Sequence, residues 1–153
     1  MNGLTITNLV NEDRRLARIF RGVFAADTLP AFLSSCTSHA FVVNTHPHYK
    51  SGEHWIAIFI TPFKKAIYFD SFGLAPWQPE ICKFIQNNSL TLVYNSTPIQ
   101  SLISRTCGLF CVYFLQAMSK GASLTQMLSA FNPFDPVYNE LYIQRLFYYS
   151  SRE

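Results

Sequence analysis

Four side chains, His54, Asp70, Gln100 and Cys107, occur in an order and in local settings that suit cysteine-dependent acyl transfer. A thiolate supplies the nucleophile and an imidazole the general base. A carboxylate orients and stabilises the imidazolium, and a carboxamide N–H can meet a developing oxyanion. Cys107 stands before Gly108 at the head of an apolar run, Leu109–Leu115, with a polar stretch at 95–106 ahead of it. That pattern predicts a buried helix with Cys107 in its first turn, where unpaired N–H groups favour thiolate over thiol. The same N–H groups can receive an oxyanion. Cys111, one turn further in, reads as a small buried apolar residue.

The elements that must bring these residues together are partly legible. His54–Ile60 and Lys65–Asp70 are two apolar, β-branched and aromatic runs separated by Thr61-Pro62-Phe63-Lys64, the pattern of a hairpin. Pairing symmetric about Pro62 sets His54 opposite Asp70. Directly opposed side chains on one face have Cβ atoms about 4.5–5.5 Å apart. Both faces of these strands are apolar, so they are expected to be central and covered on both sides. Around them the spacing predicts a helix over about 11–25 capped by Asn11, a short helical piece over 29–35 and a strand over 40–44. A helix is expected over 77–86, a strand over 90–94, the Cys107 helix to Met118, and two closing helices over 123–131 and 136–149. The fold class is therefore α+β, a small central mixed β-sheet packed between helices.

The chain has 153 residues and reads as one domain over 1–153, long enough to bury a single core. With 49% apolar residues, including fourteen Phe and eight Tyr, disorder is excluded as the default reading. No apolar run approaches the roughly 18–20 residues of a membrane span, and the N-terminal stretch lacks a basic segment followed by an apolar one. The chain thus reads as soluble, not secreted and made in the cytosol, with its four cysteines as free thiols. Cys107 and Cys111 lack the second ligand pair of a zinc site, so no metal is expected. The net charge is +3. Arg14, Arg18 and Arg21 share one face of the expected first helix, which reads as a solvated face or as an anion-facing patch for nucleic acid.

The segments Gly52-Glu53-His54-Trp55, Asp70-Ser71-Phe72-Gly73 and Cys107-Gly108-Leu109-Phe110-Cys111, with Gln100 in the intervening loop, resemble the adenovirus-type maturation proteases. These form the adenain family, with relatives in polinton-like elements and related DNA viruses, inside the wider clan of ubiquitin-like-protein-specific proteases. The resemblance runs from about Val43 to Gln116. It implies a papain-related core in which the catalytic His and Asp precede the Cys in the chain. His54 becomes the base, Asp70 its orienter, Cys107 the nucleophile, and Gln100 with the Cys107 N–H the oxyanion hole. Trp55 and Gly108 fall at the substrate cleft. Asp70 stands where the adenovirus enzymes usually have Glu, and other members of the clan have Asp.

The resemblance further implies cleavage of viral precursor polypeptides of the capsid or core, with small residues such as Gly-Gly near the scissile bond. The site of action would be the host nucleus or cytoplasm and the virion. No cofactor is needed for the chemistry itself. An activating viral peptide and DNA are implied as accessory partners, with Ser89 at the position of the family's peptide-linking cysteine. A protease for ubiquitin-like modifiers, an acyltransferase and a non-catalytic capsid-associated protein are the competing expectations.

Overall fold

A computed structural model describes residues 1–34, 36–52 and 54–150, residues 149 and 150 through their backbone alone. A five-stranded sheet runs through the molecule in the order β1-β2-β3-β4-β5. Its strands are β1 (Phe20–Ala25), β2 (His39–Asn44), β3 (Trp55–Ile60), β4 (Lys65–Phe69) and β5 (Thr91–Tyr94). β2, β3 and β4 pair antiparallel, while β1 and β5 join the two edges in parallel. This is the mixed sheet of an α+β fold.

Alternation along the central strands sends side chains to two cores. Ala40, Val42, Ala57, Phe59, Ile67 and Phe69 face α4 (Cys107–Ser119) and the elements around it. Those are α1 (Gly3–Glu12), α2 (Arg14–Ile19), α5 (Leu124–Leu128) and α6 (Pro136–Ser150). Phe41, Val43, Ile56, Ile58 and Tyr68 face the other way, onto Ile81, Phe84 and Ile85 of α3 (Pro79–Asn88). Burying a Phe or Ile side chain contributes about 1.5–3 kcal/mol, so both faces of the sheet help to hold the central strands. α4 buries Cys107, Phe110, Cys111, Val112, Phe114, Leu115 and Met118, and the Phe114 ring stacks on Phe69 with centroids 4.9 Å apart. An all-apolar helix belongs between layers, and α4 lies there.

The N-terminal third departs from the sequence expectation. In place of one helix over 11–25 there are two short helices and a strand. Asn2 caps α1, and Asp13 caps α2 by accepting the N–H groups of Arg15 and Leu16 at 2.9 and 3.1 Å. An Asp at that point ends one helix and starts another. Beyond Ile19 the chain turns extended, because Gly22 (φ +133) makes a bulge and Val23 and Phe24 pair with β2. Sheet pairing overrides the helical periodicity. Residues 29–34 are likewise not helical, and Ser35 lies outside the described residues.

The other elements fall within two or three residues of expectation. Pro79 occupies the first turn of α3, which runs to Asn88. Ser123 and Gln126 form a reciprocal capping box, and α5 stops at Leu128, short of Phe131. Among the described residues no helix is long and apolar enough to cross a membrane.

Candidate active site

The expected hairpin exists, with its pairing centred on Phe63: Ile60 pairs with Ala66 and Ala57 with Phe69. Lys64 adopts a left-handed conformation (φ +59) and donates its N–H to the Thr61 carbonyl, so the loop is Pro62-Phe63-Lys64. Register symmetric about Pro62 is thereby displaced by two residues, and Ala57 meets Phe69 in place of Ile67. Because the side-chain period is also two, the shift leaves every residue on its expected face. Extended past the ladder, the pairing sets Phe72 opposite His54 and makes Asp70 its diagonal neighbour.

His54 directly precedes β3 and Asp70 directly follows β4, so both lie at one end of the sheet. The C-terminal end of β5 and the N-terminus of α4 come to the same end. His54 Nε2 lies 2.7 Å from Asp70 Oδ1, which also accepts the Phe72 N–H at 2.8 Å. The ring of Phe72 stacks on the imidazole with centroids 4.3 Å apart and planes 17° apart. With Nε2 committed to Asp70, Nδ1 is the nitrogen left for Cys107, which is hydrogen-bonded to His54. The sequence expectation of His54–Asp70 contact is met by a diagonal pair.

The Asp70 backbone has its own holder. Asn95, at the end of β5, accepts the Asp70 N–H at 3.1 Å and donates Nδ2–H to the Asp70 carbonyl at 2.6 Å. The turn that follows needs Gly73. Its φ is +71, and a Cβ there would lie 2.7 Å from backbone atoms of Thr97 and Pro98. The Asp-Ser-Phe-Gly segment thus has a conformational reason for its glycine and an aromatic reason for its phenylalanine.

Burial and pairing compete in setting the charges. Burial lowers the His54 pKa, but hydrogen bonds and charge from Asp70 and Cys107 outweigh it and lift the group to about 9. Burial raises the Cys107 pKa, and His54 together with the N–H groups of Trp55 and Gly108 reverses that, leaving it below the ordinary thiol value. The two groups therefore favour a thiolate–imidazolium pair. Cys111, fully buried and close to the charges of Cys107 and Asp70, is pushed well above the usual thiol range. It stays a neutral core thiol.

Gln100 is buried at the same end. Its Oε1 accepts the Ser71 hydroxyl at 2.5 Å, and its Nε2 donates to the Ser104 carbonyl at 3.0 Å. Ser104 Oγ in turn meets Thr106 Oγ1 at 2.7 Å, and Thr106 is the residue capping α4 directly before Cys107. Trp55 is half-exposed, and its Nε1–H donates to the Met1 carbonyl at 3.0 Å. Gly108 is buried in α4, with its N–H toward the Cys107 sulfur. A Cβ there would stand 2.8 Å from Met1 Sδ and 3.3 Å from Ile6 Cδ1, so the Met1 side chain and α1 pack closely over this position.

The arginine face dissolves. Arg14 and Arg18 remain on α2, but Arg21 lies on β1 and donates Nε–H to His39 Nδ1 at 2.8 Å. His39 is buried in β2, with Nε2 2.8 Å from the Ser34 carbonyl. His48 sits 2.6 Å from Asp27 Oδ2 on the surface. The sequence pointed to none of Asn95, Ser71 or the stacking of Phe72 as parts of the site. Asn95 is 25 residues from Asp70 and reaches it only through the parallel pairing of β5 with β4.

A sequence profile for the adenovirus endoprotease matches residues 20–142, a span that holds all four site residues. The chain belongs to the adenovirus endoprotease family. Among relatives, the protease of porcine adenovirus A serotype 3 is 30% identical over 123 residues, covering 71% of this chain and 59% of the relative. The protease of ovine adenovirus D serotype 7 (isolate OAV287) is 29% identical over 134 residues, covering 75% and 65%. The chain therefore spans roughly three fifths of these relatives' length. The crystal structure of the ASFV pS273R protease shares the fold, with TM-score 0.52 and 19% identity over 68% of this chain and 42% of that one.

Proposed function

We propose that the chain is a cysteine endopeptidase that cleaves viral precursor polypeptides during particle maturation. The observation that carries this reading is the 2.7 Å hydrogen bond from His54 Nε2 to Asp70 with Cys107 beside the same imidazole, an arrangement that makes the thiol more acidic and the imidazole more basic. Membership of the adenovirus endoprotease family supports it.

In the proposed reaction the Cys107 thiolate attacks the scissile carbonyl carbon and the carbonyl π electrons move to oxygen. The helix N–H groups at Cys107 and Gly108 and the second N–H of Gln100 Nε2 receive that oxyanion. Collapse breaks the C–N bond as the His54 imidazolium gives its proton to the departing amine, leaving a thioester and neutral His54. A water molecule, deprotonated by His54, then attacks the thioester. The carboxylic acid departs and the thiolate–imidazolium pair returns. Asp70 holds the imidazole in place and stabilises its charge throughout.

Trp55 and the aromatic surroundings favour narrow residues, and the family resemblance points to Gly-Gly beside the bond. It also extends the proposal to an activating peptide and to DNA. Ser89, at the peptide-linking position, ends α3 and donates its hydroxyl to the Ile85 carbonyl at 2.6 Å, so a peptide here would be held without a disulfide. Peptides containing Gly-Gly, with and without DNA, test the reading, with iodoacetamide labelling of Cys107 run alongside. Cleavage that Cys107→Ala abolishes is expected. Undiminished cleavage by that variant, or a Cys107 that resists labelling, would refute it.

A further inference from the structure

We propose that α6 positions the oxyanion side of this site, with Glu140 and Asn139 as the positioning residues; the inference rests on the acyl-transfer reading above. The two residues are consecutive in α6, and each grips one side of the peptide segment that carries Gln100. Asn139 is fully buried and makes three hydrogen bonds, using both donors of its carboxamide. Its Nδ2 donates to the Ile99 carbonyl at 3.0 Å and to the Asn132 carbonyl at 2.7 Å, and its Oδ1 accepts the Asn132 N–H at 2.8 Å. Glu140 Oε1 accepts the Ser101 N–H at 2.8 Å.

The segment is held from the opposite side by the turn that follows Asp70. The Ser71 carbonyl accepts the N–H groups of Ile99 and Gln100 at 2.9 and 3.2 Å, and the Ser71 hydroxyl fixes Gln100 Oε1. The Ser104 carbonyl, which can only accept, sets which end of the carboxamide is the donor: Nε2 faces it and Oε1 faces the Ser71 hydroxyl. Ser104 in turn bonds the hydroxyl and N–H of Thr106, the residue directly before α4. Hydrogen bonds from α6 to the two neighbours of Gln100, and from Gln100 through Ser104 to Thr106, therefore tie the segment between α6 and the start of the Cys107 helix. An oxyanion donor acts only when it is fixed before the charge develops. The 95–106 segment lacks regular secondary structure, so this fixation comes from α6 and the Asp70 turn.

Glu140 is the residue to test, because it is only half-buried, whereas truncating Asn139 would strand buried backbone groups. Alkylation by iodoacetamide is a displacement at a saturated carbon that forms no oxyanion, so it reports the thiolate without the Gln100 side. Peptide cleavage needs both. Glu140→Ala is expected to lower kcat for a Gly-Gly peptide about tenfold or more, KM and the Cys107 alkylation rate staying within about twofold. Glu140→Gln, whose carbonyl oxygen still accepts the Ser101 N–H, is expected to recover most of that loss. Wild-type turnover with Glu140→Ala equally active overturns the positioning role alone, as does parallel loss of alkylation and cleavage or failure of Glu140→Gln to rescue. Wild-type protein that alkylates at Cys107 and cleaves no peptide overturns the acyl-transfer reading and this role with it.

Discussion

Replacing Asp70 by Asn separates the geometric from the electrostatic contribution of the carboxylate. Asp70 Oδ1 accepts two hydrogen bonds, from His54 Nε2 at 2.7 Å and from the Phe72 N–H at 2.8 Å. An Asn carbonyl oxygen in the same place can accept both, and Asn95 continues to hold the backbone of residue 70. The loss is therefore of charge at a buried site, with little change of shape. A hydrogen bond to a charged group is worth about 1.5–3 kcal/mol, and 1.36 kcal/mol is one pKa unit, so His54 should fall by about 1–2 units from its value of about 9. Asp70 favours the imidazolium, and the imidazolium favours the thiolate. Removing the carboxylate thus weakens the pair, and the apparent pKa of Cys107 should rise. The assay is the rate of iodoacetamide alkylation at Cys107 from pH 4 to 10. Wild-type protein should show a reactive plateau that begins below the ordinary thiol range. In Asp70→Asn the acidic edge of that plateau should move up by about one unit or more. Superimposable profiles would mean that Asp70 does not act through the charge of His54, and the reasoning would fail.

The other expectations concern what surrounds the pair. Phe72→Ala removes the ring stacked at 4.3 Å on His54 and should lower kcat several-fold while Cys107 still alkylates; unchanged turnover would assign the ring to packing alone. Asn95→Leu leaves the Asp70 N–H and carbonyl buried without their partner. It should cost about 1–3 kcal/mol in urea unfolding together with a loss of activity. Gly73→Ala introduces a Cβ into a left-handed turn 2.7 Å from the Thr97–Pro98 backbone, so both melting temperature and activity should drop. His54, raised to about 9 in the folded chain against 6.5, contributes stability that is full below about pH 6.5 and lost as pH rises through about 9. The stability gap between wild type and His54→Gln should accordingly be wider at pH 6 than at pH 10.

Local chemistry made the middle of the chain legible. Two dense apolar runs around a turn, and a helix with no polar face, leave few choices for β3, β4 and α4, and these elements carry His54, Asp70 and Cys107. The N-terminal third was not legible, because residues 20–25 have helical spacing and become a strand only through pairing with β2. Arg21 left the expected arginine face for the same reason. Gln100 was found by resemblance. Its fixation by Ser71, Asn139 and Glu140 comes from segments 29, 39 and 40 residues away, beyond any local pattern.

The hairpin shows why a misplaced register still reached the right pair. Centring on Pro62 displaced the ladder by two residues, and a shift of two preserves the face. His54 and Asp70 thus remained side by side, as diagonal neighbours in place of opposed ones. Diagonal Cβ atoms are about 7–8 Å apart, within reach of an imidazole and a carboxylate only when both lean together. Asp70 lies beyond the last ladder pair, so the hairpin alone does not settle which way it leans. Asn95 supplies that constraint by bonding both backbone groups of Asp70, and it can do so only because β5 runs parallel to β4 and ends at the same level. A parallel neighbour requires a crossover, which is the work of α3. The helix on the far side of the sheet from Cys107 is therefore part of what aims the carboxylate at the histidine.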